Sequence, residues 1–270
     1  MMNTNSNNLN PKQLEEYIKY FNIVKEKTRI LELKYQNALI RQNTLTDNIH
    51  NVVLHKGIYW PKKDGIQEVN SEYAHTDSTC YKLMNEFPDV PINISKFVKN
   101  KKVVVQAGGN VGFYVKKYAE IFDTVYTFEP EPLSFFCLNL NVTNKNVFKF
   151  QACLGNKHEG VNLFNAHETL GHGGSHVVSS GLTPTFLIDD LNLQVCDLIH
   201  LDIEGYEKYA LLGGIETIKK CKPVIVIENY GPWLARYGTN ITEVEQILIN
   251  EGYTYTAEVQ GDRVYVPSNY

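Results

Sequence analysis

The sequence predicts a doubly wound α/β domain. It should have a mostly parallel sheet covered by helices on both faces, an antiparallel hairpin strand at its C-terminal end, and an N-terminal helical extension. Three observations carry this. From about residue 100, short β-branched runs alternate with helix-compatible stretches. One of them, VVVQAGGNVGFY at 103–114, breaks into glycines and resumes as a helix. The C-terminal stretch GYTYTAEVQGDRVYVPS is two β-rich runs around Gly261-Asp262, a hairpin signal. The chain has 270 residues, of which 43% are hydrophobic, enough for one such domain plus an extension. The expected division is 1–45, a polar tail and amphipathic helix, and 46–270, the α/β domain.

Taken in order, residues 1–10 are Asn- and Ser-rich and read as disordered. From Pro11 to about Arg41, Leu14, Ile18, Phe21, Val24, Ile30, Leu31 and Leu39 form a loose apolar stripe at helical spacing. The stripe suits a helix packed on its own domain or a homodimer contact, and it is too irregular for a coiled coil. Residues 45–100 mix short strands and helices. Then follow a strand KKVVVQA, a helix 111–122, a strand TVYTFE, a helix 133–141 and a strand VFKFQACL. The strands DLIHLDI and PVIVIEN flank a short helix over 206–219, and a last helix over 241–250 precedes the hairpin. Parallel strands with crossover helices explain the near-continuous apolar character of the strands.

Bulk properties exclude several classes. The formal charge of −4 gives no electrostatic footprint for nucleic acid. No apolar run reaches membrane-spanning length, and MMNTNSNNLN does not read as a signal peptide, so a cytoplasmic protein is expected. The five cysteines, Cys80, Cys137, Cys153, Cys196 and Cys221, lack CxxC spacing and read as reduced thiols, neither a disulfide frame nor a zinc site.

A strand, a glycine turn and a helix open the nucleotide-binding half of such sheets. Gly108 suits positive φ in the turn, and Gly112 lets the helix lie close to the strand or a ligand. Glu129 ends the next strand, twenty-one residues after Gly108, a spacing at which an acid accepts two ribose hydroxyls. The adenosine could belong to NAD or to S-adenosylmethionine. The antiparallel terminal strand and the acidic strand end IHLDIEGYE separate the two, since both suit a class I methyltransferase.

These segments resemble the FkbM family of S-adenosylmethionine-dependent methyltransferases. VVVQAGGNVGFY looks like the family's strand and D-x-G-x-N-x-G turn. VYTFEPEPLSFFCLNLN is similar to its F-E-P segment through Glu129, Pro130, Pro132, Phe135, Leu138 and Asn141. LIHLDIEGYEKYALLGG is similar to its D-x-E-G block through Asp202, Glu204, Gly205, Glu207, Leu211 and Gly213, and KPVIVIEN matches the following strand. The match runs over about 100–230. It departs at Gln106, where the family usually has Asp, and at His200, where it often has Lys.

The resemblance implies a Rossmann-like class I fold and the cofactor S-adenosyl-L-methionine. Expected cofactor-binding residues are Gln106, Gly108, Gly109, Asn110, Gly112, Glu129, Pro130, Ala152 and Asp202. It implies methyl transfer, most often to a hydroxyl of a glycan, sugar or small metabolite. Asp202, Glu204, His200 and Glu228 are the catalytic candidates, since acids at adjacent strand tips can orient a cation or take a hydroxyl proton. Glu204 and Glu207 also suit capping of the helix that begins near Tyr206, and capping is the preferred reading for Glu207. His200 is a candidate proton relay or a hydrogen-bonded core histidine, the latter preferred. NAHETLGHGGSHVVSSG, with His167, His172 and His176, reads as a Gly-rich lid over the acceptor, and no metal is expected there. The rival readings are an NAD-dependent oxidoreductase, favoured only if the terminal hairpin stays off the sheet, and a methyltransferase-like scaffold.

Overall fold

The computed structural model describes residues 49–62, 82–164, 175–229 and 231–270. The chain divides into two units, 1–50 and 51–270. The expected N-terminal stripe, and His167 and His172, lie outside the described residues.

A short hairpin opens the second unit, β1 (Val52–His55) and β2 (Ile58–Pro61), turning through Lys56 and Gly57, both at positive φ. After a π-helical turn at Lys82–Glu86 come α1 (Val90–Ser95), β3 (Val103–Ala107), α2 (Phe113–Ile121), β4 (Thr124–Phe128), α3 (Pro132–Asn141) and β5 (Val147–Phe150). Four strands then make a separate sheet: β6 (Cys153–Leu154), β7 (Gly160–Phe164), β8 (His176–Ser180) and β9 (Thr183–Phe186). The rhythm resumes with β10 (Leu198–Leu201), α4 (Glu207–Leu212), α5 (Ile215–Cys221), β11 (Val224–Glu228), α6 (Gly231–Ala235) and α7 (Ile241–Asn250). It closes with β12 (Tyr253–Val259) and β13 (Asp262–Pro267).

The main sheet has the order β12-β13-β11-β10-β3-β4-β5. The five strands from β11 to β5 run parallel, and β13 joins β11 antiparallel, so the terminal hairpin does enter the sheet. Its turn, Gln260-Gly261, has positive φ at both residues, as a two-residue hairpin loop requires. The strand order reverses between β3 and β10, which opens a crevice at their carboxyl ends.

Alternation divides the core between the two faces. Val105, Ile199, Leu201, Ile225 and Ile227 pack with Leu211, Ile218, Val244 and Leu248 on one side. Val104, Val125, Leu198, Val224 and Val226 pack with Ile94, Val115, Tyr118 and Phe122 on the other. Both faces of each central strand are thus covered, which is why these strands read as continuous apolar runs.

Three expected elements differ. VFKFQACL is two strands, β5 and β6, which belong to different sheets. The helix expected over 206–219 is α4 and α5, broken at Gly213-Gly214. A Cβ at Gly213 would lie 1.9 Å from the Gly155 carbonyl oxygen, so that close approach needs glycine. Residues 176–180, assigned to the Gly-rich lid, are a strand of the second sheet.

Candidate active site

The glycine turn is fastened from both sides. Gly108 and Gly109 both donate their N–H to the Phe128 carbonyl at 3.0 Å. Gly108 sits at φ +82°, and a Cβ there would lie 1.9 Å from the Asp202 carbonyl oxygen. Bare backbone therefore lets the turn rest on the tip of β10. Gly112, at φ +87°, caps α2, and its missing Cβ leaves room for Val142 and Leu138. Asn141, at the end of α3, accepts from Tyr59 N–H at 2.7 Å and donates to the Tyr59 and Val111 carbonyls at 2.8 Å. That one amide ties the β1–β2 hairpin to the turn.

Glu129 closes the turn from the β4 side. Its Oε2 accepts from Asn110 N–H at 2.7 Å and its Oε1 from Glu131 N–H at 2.8 Å. Burial pushes its carboxyl up to about 8, although these two backbone donors oppose the rise. Each oxygen keeps a lone pair for a further donor.

A cleft opens over these groups. Gly108, Asn110, Glu129, Pro130, Ala152, Asp202 and Glu204 line it, so seven of the residues singled out in the sequence meet there. Within it, Asn110 Oδ1 and Glu204 Oε2 are buried without a hydrogen-bond partner among the described residues. Further lining comes from Leu163 and Tyr206, which the sequence did not single out, and from Ser175, His176 and Val177, which belong to the segment read as a lid over the acceptor. The runs VNLF and HVVSS were the available signal for this second sheet, but they are short, half polar and without sustained alternation.

Carboxylates cluster where Asp202 and Glu204 line the cleft, with Glu228 beside them but not part of its lining. One oxygen each from Asp202, Glu204 and Glu228 falls within 4.8 Å of the others, a spacing that can grip a cation. Burial, first of all, and then the neighbouring negative charges push Asp202 up to about 6, Glu204 to about 8 and Glu228 to about 10. Glu204 has φ +60° in the turn after β10 and does not cap the helix. Nor does Glu207, against the sequence reading: its Oε1 accepts from Ile203 and Gly205 N–H at 3.0 and 3.3 Å, which fastens the turn before α4 and leaves the helix without a side-chain cap.

Besides Glu228, four candidates lie off the cleft lining. Gln106 is 1% exposed, and its Oε1 accepts the Thr127 hydroxyl at 2.6 Å. It stands one pleat beneath the cleft, within the face covered by α2. Gly109 packs against Leu138 and Thr127, and Gly112 lies at the helix start. His200 is fully buried, so it does not meet the cleft as a relay to solvent would. Its Nδ1 is 2.8 Å from the Tyr118 hydroxyl and its Nε2 3.3 Å from Asp262 Oδ2. Gln106, Thr127 and His200 are aligned by strand register, one buried polar row across three strands. A neutral amide suits that row, where a carboxylate would be an uncompensated buried charge.

A family model described as methyltransferase FkbM domain matches residues 106–255. No curated protein matches the chain significantly. Among solved structures, a methyltransferase FkbM from Methylobacillus flagellatus KT is similar at 17% identity and a TM-score of 0.43, covering 64% of this chain and 45% of that one. The chain thus spans less than half the length of that relative. A SAM-dependent methyltransferase from Aquifex aeolicus is similar at 15% identity and a TM-score of 0.37, covering 65% and 88%. TrmK from M. capricolum, solved with S-adenosylhomocysteine, is similar at 8% identity and a TM-score of 0.38, covering 65% of each chain.

Proposed function

This chain belongs to the FkbM methyltransferase family, whose model matches more than half of it, and from that premise we propose that it is an O-methyltransferase acting on a hydroxyl of a glycan, sugar or small metabolite. Its cofactor is S-adenosylmethionine, which supplies an activated methyl group on a sulfonium leaving group. The observation that carries the reading is the single cleft that joins the glycine turn and Glu129 to the acids at the tip of β10.

The residues present fit that cofactor. The turn at Gly108 has no Cβ to obstruct the crevice, the orphaned Asn110 Oδ1 is an acceptor awaiting a donor, and Glu204 Oε2 is a buried polar atom awaiting a partner. Glu129 would hold the ribose through the lone pairs that its backbone donors leave free. Asp202 and its neighbouring acids suit a ligand that carries an ammonium and a sulfonium, because an incoming cation relieves their mutual repulsion.

The chain's own work is alignment and proton handling. Displacement at a methyl carbon needs the acceptor oxygen held in line, and the walls from the second sheet and Tyr206 provide the acceptor side. Tyr206 stacks on Tyr209 at 4.6 Å and meets Tyr237 edge-on at 5.0 Å, a rigid aromatic flank suited to an apolar ring face. Asp202 takes the hydroxyl proton, being ionised at neutral pH and more basic than an exposed carboxylate. We place the protein in the cytoplasm. Among the described residues no helix is long and apolar enough to cross a membrane.

Isothermal titration with S-adenosylmethionine, S-adenosylhomocysteine and NAD tests this. Binding of the first two with no NAD heat is expected. NAD binding without the others would reject the reading.

A further inference from the structure

Asp262 opens β13, and the sequence shows it only as part of a turn signal. The fold carries it to the acids. Asp262 pairs in register with Glu228 across β13 and β11, and the β11–β10 register runs on from Ile227 and Leu201 toward Glu228 and Asp202. Three neighbouring strand tips thus bear carboxylates on one sheet face, with Glu204 beside them. The side chain of Asp262 is only 14% exposed, and its charge acts on Asp202, Glu228 and Tyr114.

What holds Asp262 there is a buried pair. Tyr118 and His200 are both fully buried, with the Tyr118 hydroxyl 2.8 Å from Nδ1, and His200 Nε2 is 3.3 Å from Asp262 Oδ2. The buried phenol keeps its proton. When it donates to Nδ1, the remaining ring hydrogen sits on Nε2 and points at Asp262. A hydrogen bond of this kind fixes the orientation of the carboxylate. The adjacent cation offers no compensation: Arg263 is engaged with Glu245 at 2.5 Å.

We propose that Asp262 is a specificity-determining residue of the methyl-donor site: the Tyr118–His200 pair fixes it in the strand-tip acid row, and that row favours the cationic donor over its neutral thioether product. The proposal rests on the cleft taking S-adenosylmethionine. Methyl transfer breaks the sulfur–methyl bond and leaves its electron pair on sulfur, so donor and product differ by one methyl and one positive charge. Asp262 does not line the cleft. It acts through the field it adds behind Asp202, in a protein interior where that field is weakly screened. Tyr114, Tyr118, His200, Asp202, Glu228 and the adjacent Arg263 are titratable or charged groups near it among the described residues. A row of this kind counters inhibition by accumulated product.

The test is the ratio of S-adenosylmethionine to S-adenosylhomocysteine affinity, measured by calorimetry on the full chain at one pH and ionic strength. Asp262→Asn should lower donor affinity by about three- to tenfold, the scale of one screened charge interaction, and change product affinity less than about twofold. Asp262→Glu, which restores the charge, should recover most of the ratio. If Asp262→Asn does not fold, Asp262→Ser takes its place under the same criteria. Equal losses for both ligands would mean that Asp262 is merely structural, and an unchanged ratio would mean that its field does not reach the site. Either result overturns the proposal. Failure of the wild type to bind either ligand would instead overturn the reading of the cleft itself.

Discussion

Replacing Gly108 by alanine separates two costs that the structure allows to be estimated. The first is conformational: at φ +82° an L-residue pays roughly 1–2 kcal/mol. The second is steric: the new Cβ would lie 1.9 Å from the Asp202 carbonyl oxygen, and 3.0 Å from its carbon. Both are backbone atoms, so no rotamer change relieves the contact. The turn and the tip of β10 must separate, at a cost like that of overpacking, about 1–3 kcal/mol. Gly238 is the control. It has φ +63° and open space around its missing Cβ, so Gly238→Ala carries the conformational cost alone. Urea unfolding should therefore show Gly108→Ala to be less stable than Gly238→Ala by about 1–3 kcal/mol. Calorimetry should show S-adenosylhomocysteine binding lost in the first and kept in the second. Equal stabilities with equal binding would refute the claim that the turn is built on the Asp202 backbone.

Further outcomes follow from the same contacts. Glu129→Gln puts an NH₂ against one of two backbone donors, so it should cost about 1–3 kcal/mol of stability and weaken cofactor binding at least several-fold; full retention of both, by unfolding and calorimetry, would count against its double role. Gln106→Asp shortens the side chain and sets a charge beside Thr127 in a site 1% exposed, so it should lower the melting temperature and should not improve cofactor affinity; tighter binding would show that Gln106 faces the ligand. The pH dependence of stability has a definite sign. Burial holds Glu129 and Glu204 near 8 and Glu207 near 7, against 4.5 when unexposed to these effects, so between about pH 5 and 8 the native state binds more protons than the unfolded chain. Stability of the ligand-free protein should fall as pH rises through that window, by about 1.4 kcal/mol per unit for each extra proton held. Urea midpoints that climb from pH 5 to 7.5 would contradict this.

The parts of the fold set by local chemistry were legible in the sequence. β-branched runs named the parallel strands, and Ile241–Asn250 matched its helix because Asn240 caps it, accepting from Glu243 N–H. Gly108 and Glu129 were readable because a turn at positive φ and an acid at a strand end each need a particular residue type. The second sheet was not legible: β6 has two residues, and the strands β7 to β9 show no sustained alternation. Gln106 and His200 look like site residues in a motif, yet alternation turns both toward α2. Their partners, Thr127 and Tyr118, sit on other elements, and no sequence spacing announces such a contact. Asp262 was hidden for the same reason, since its meaning comes from the strand order that sets β13 beside β11.

Methyl transfer itself is the most direct measurement. The wild-type chain and Asp202→Asn would be incubated with methyl-labelled S-adenosylmethionine and a panel of hydroxylated sugars, glycans and small metabolites, and transferred label counted. The account predicts an acceptor that the wild type labels on oxygen, with the rate in Asp202→Asn lower by at least about tenfold, on the scale of a lost acid–base group. Label carried to oxygen at the same rate by both proteins would contradict the assignment of Asp202, and label found only on nitrogen or carbon would contradict O-methylation.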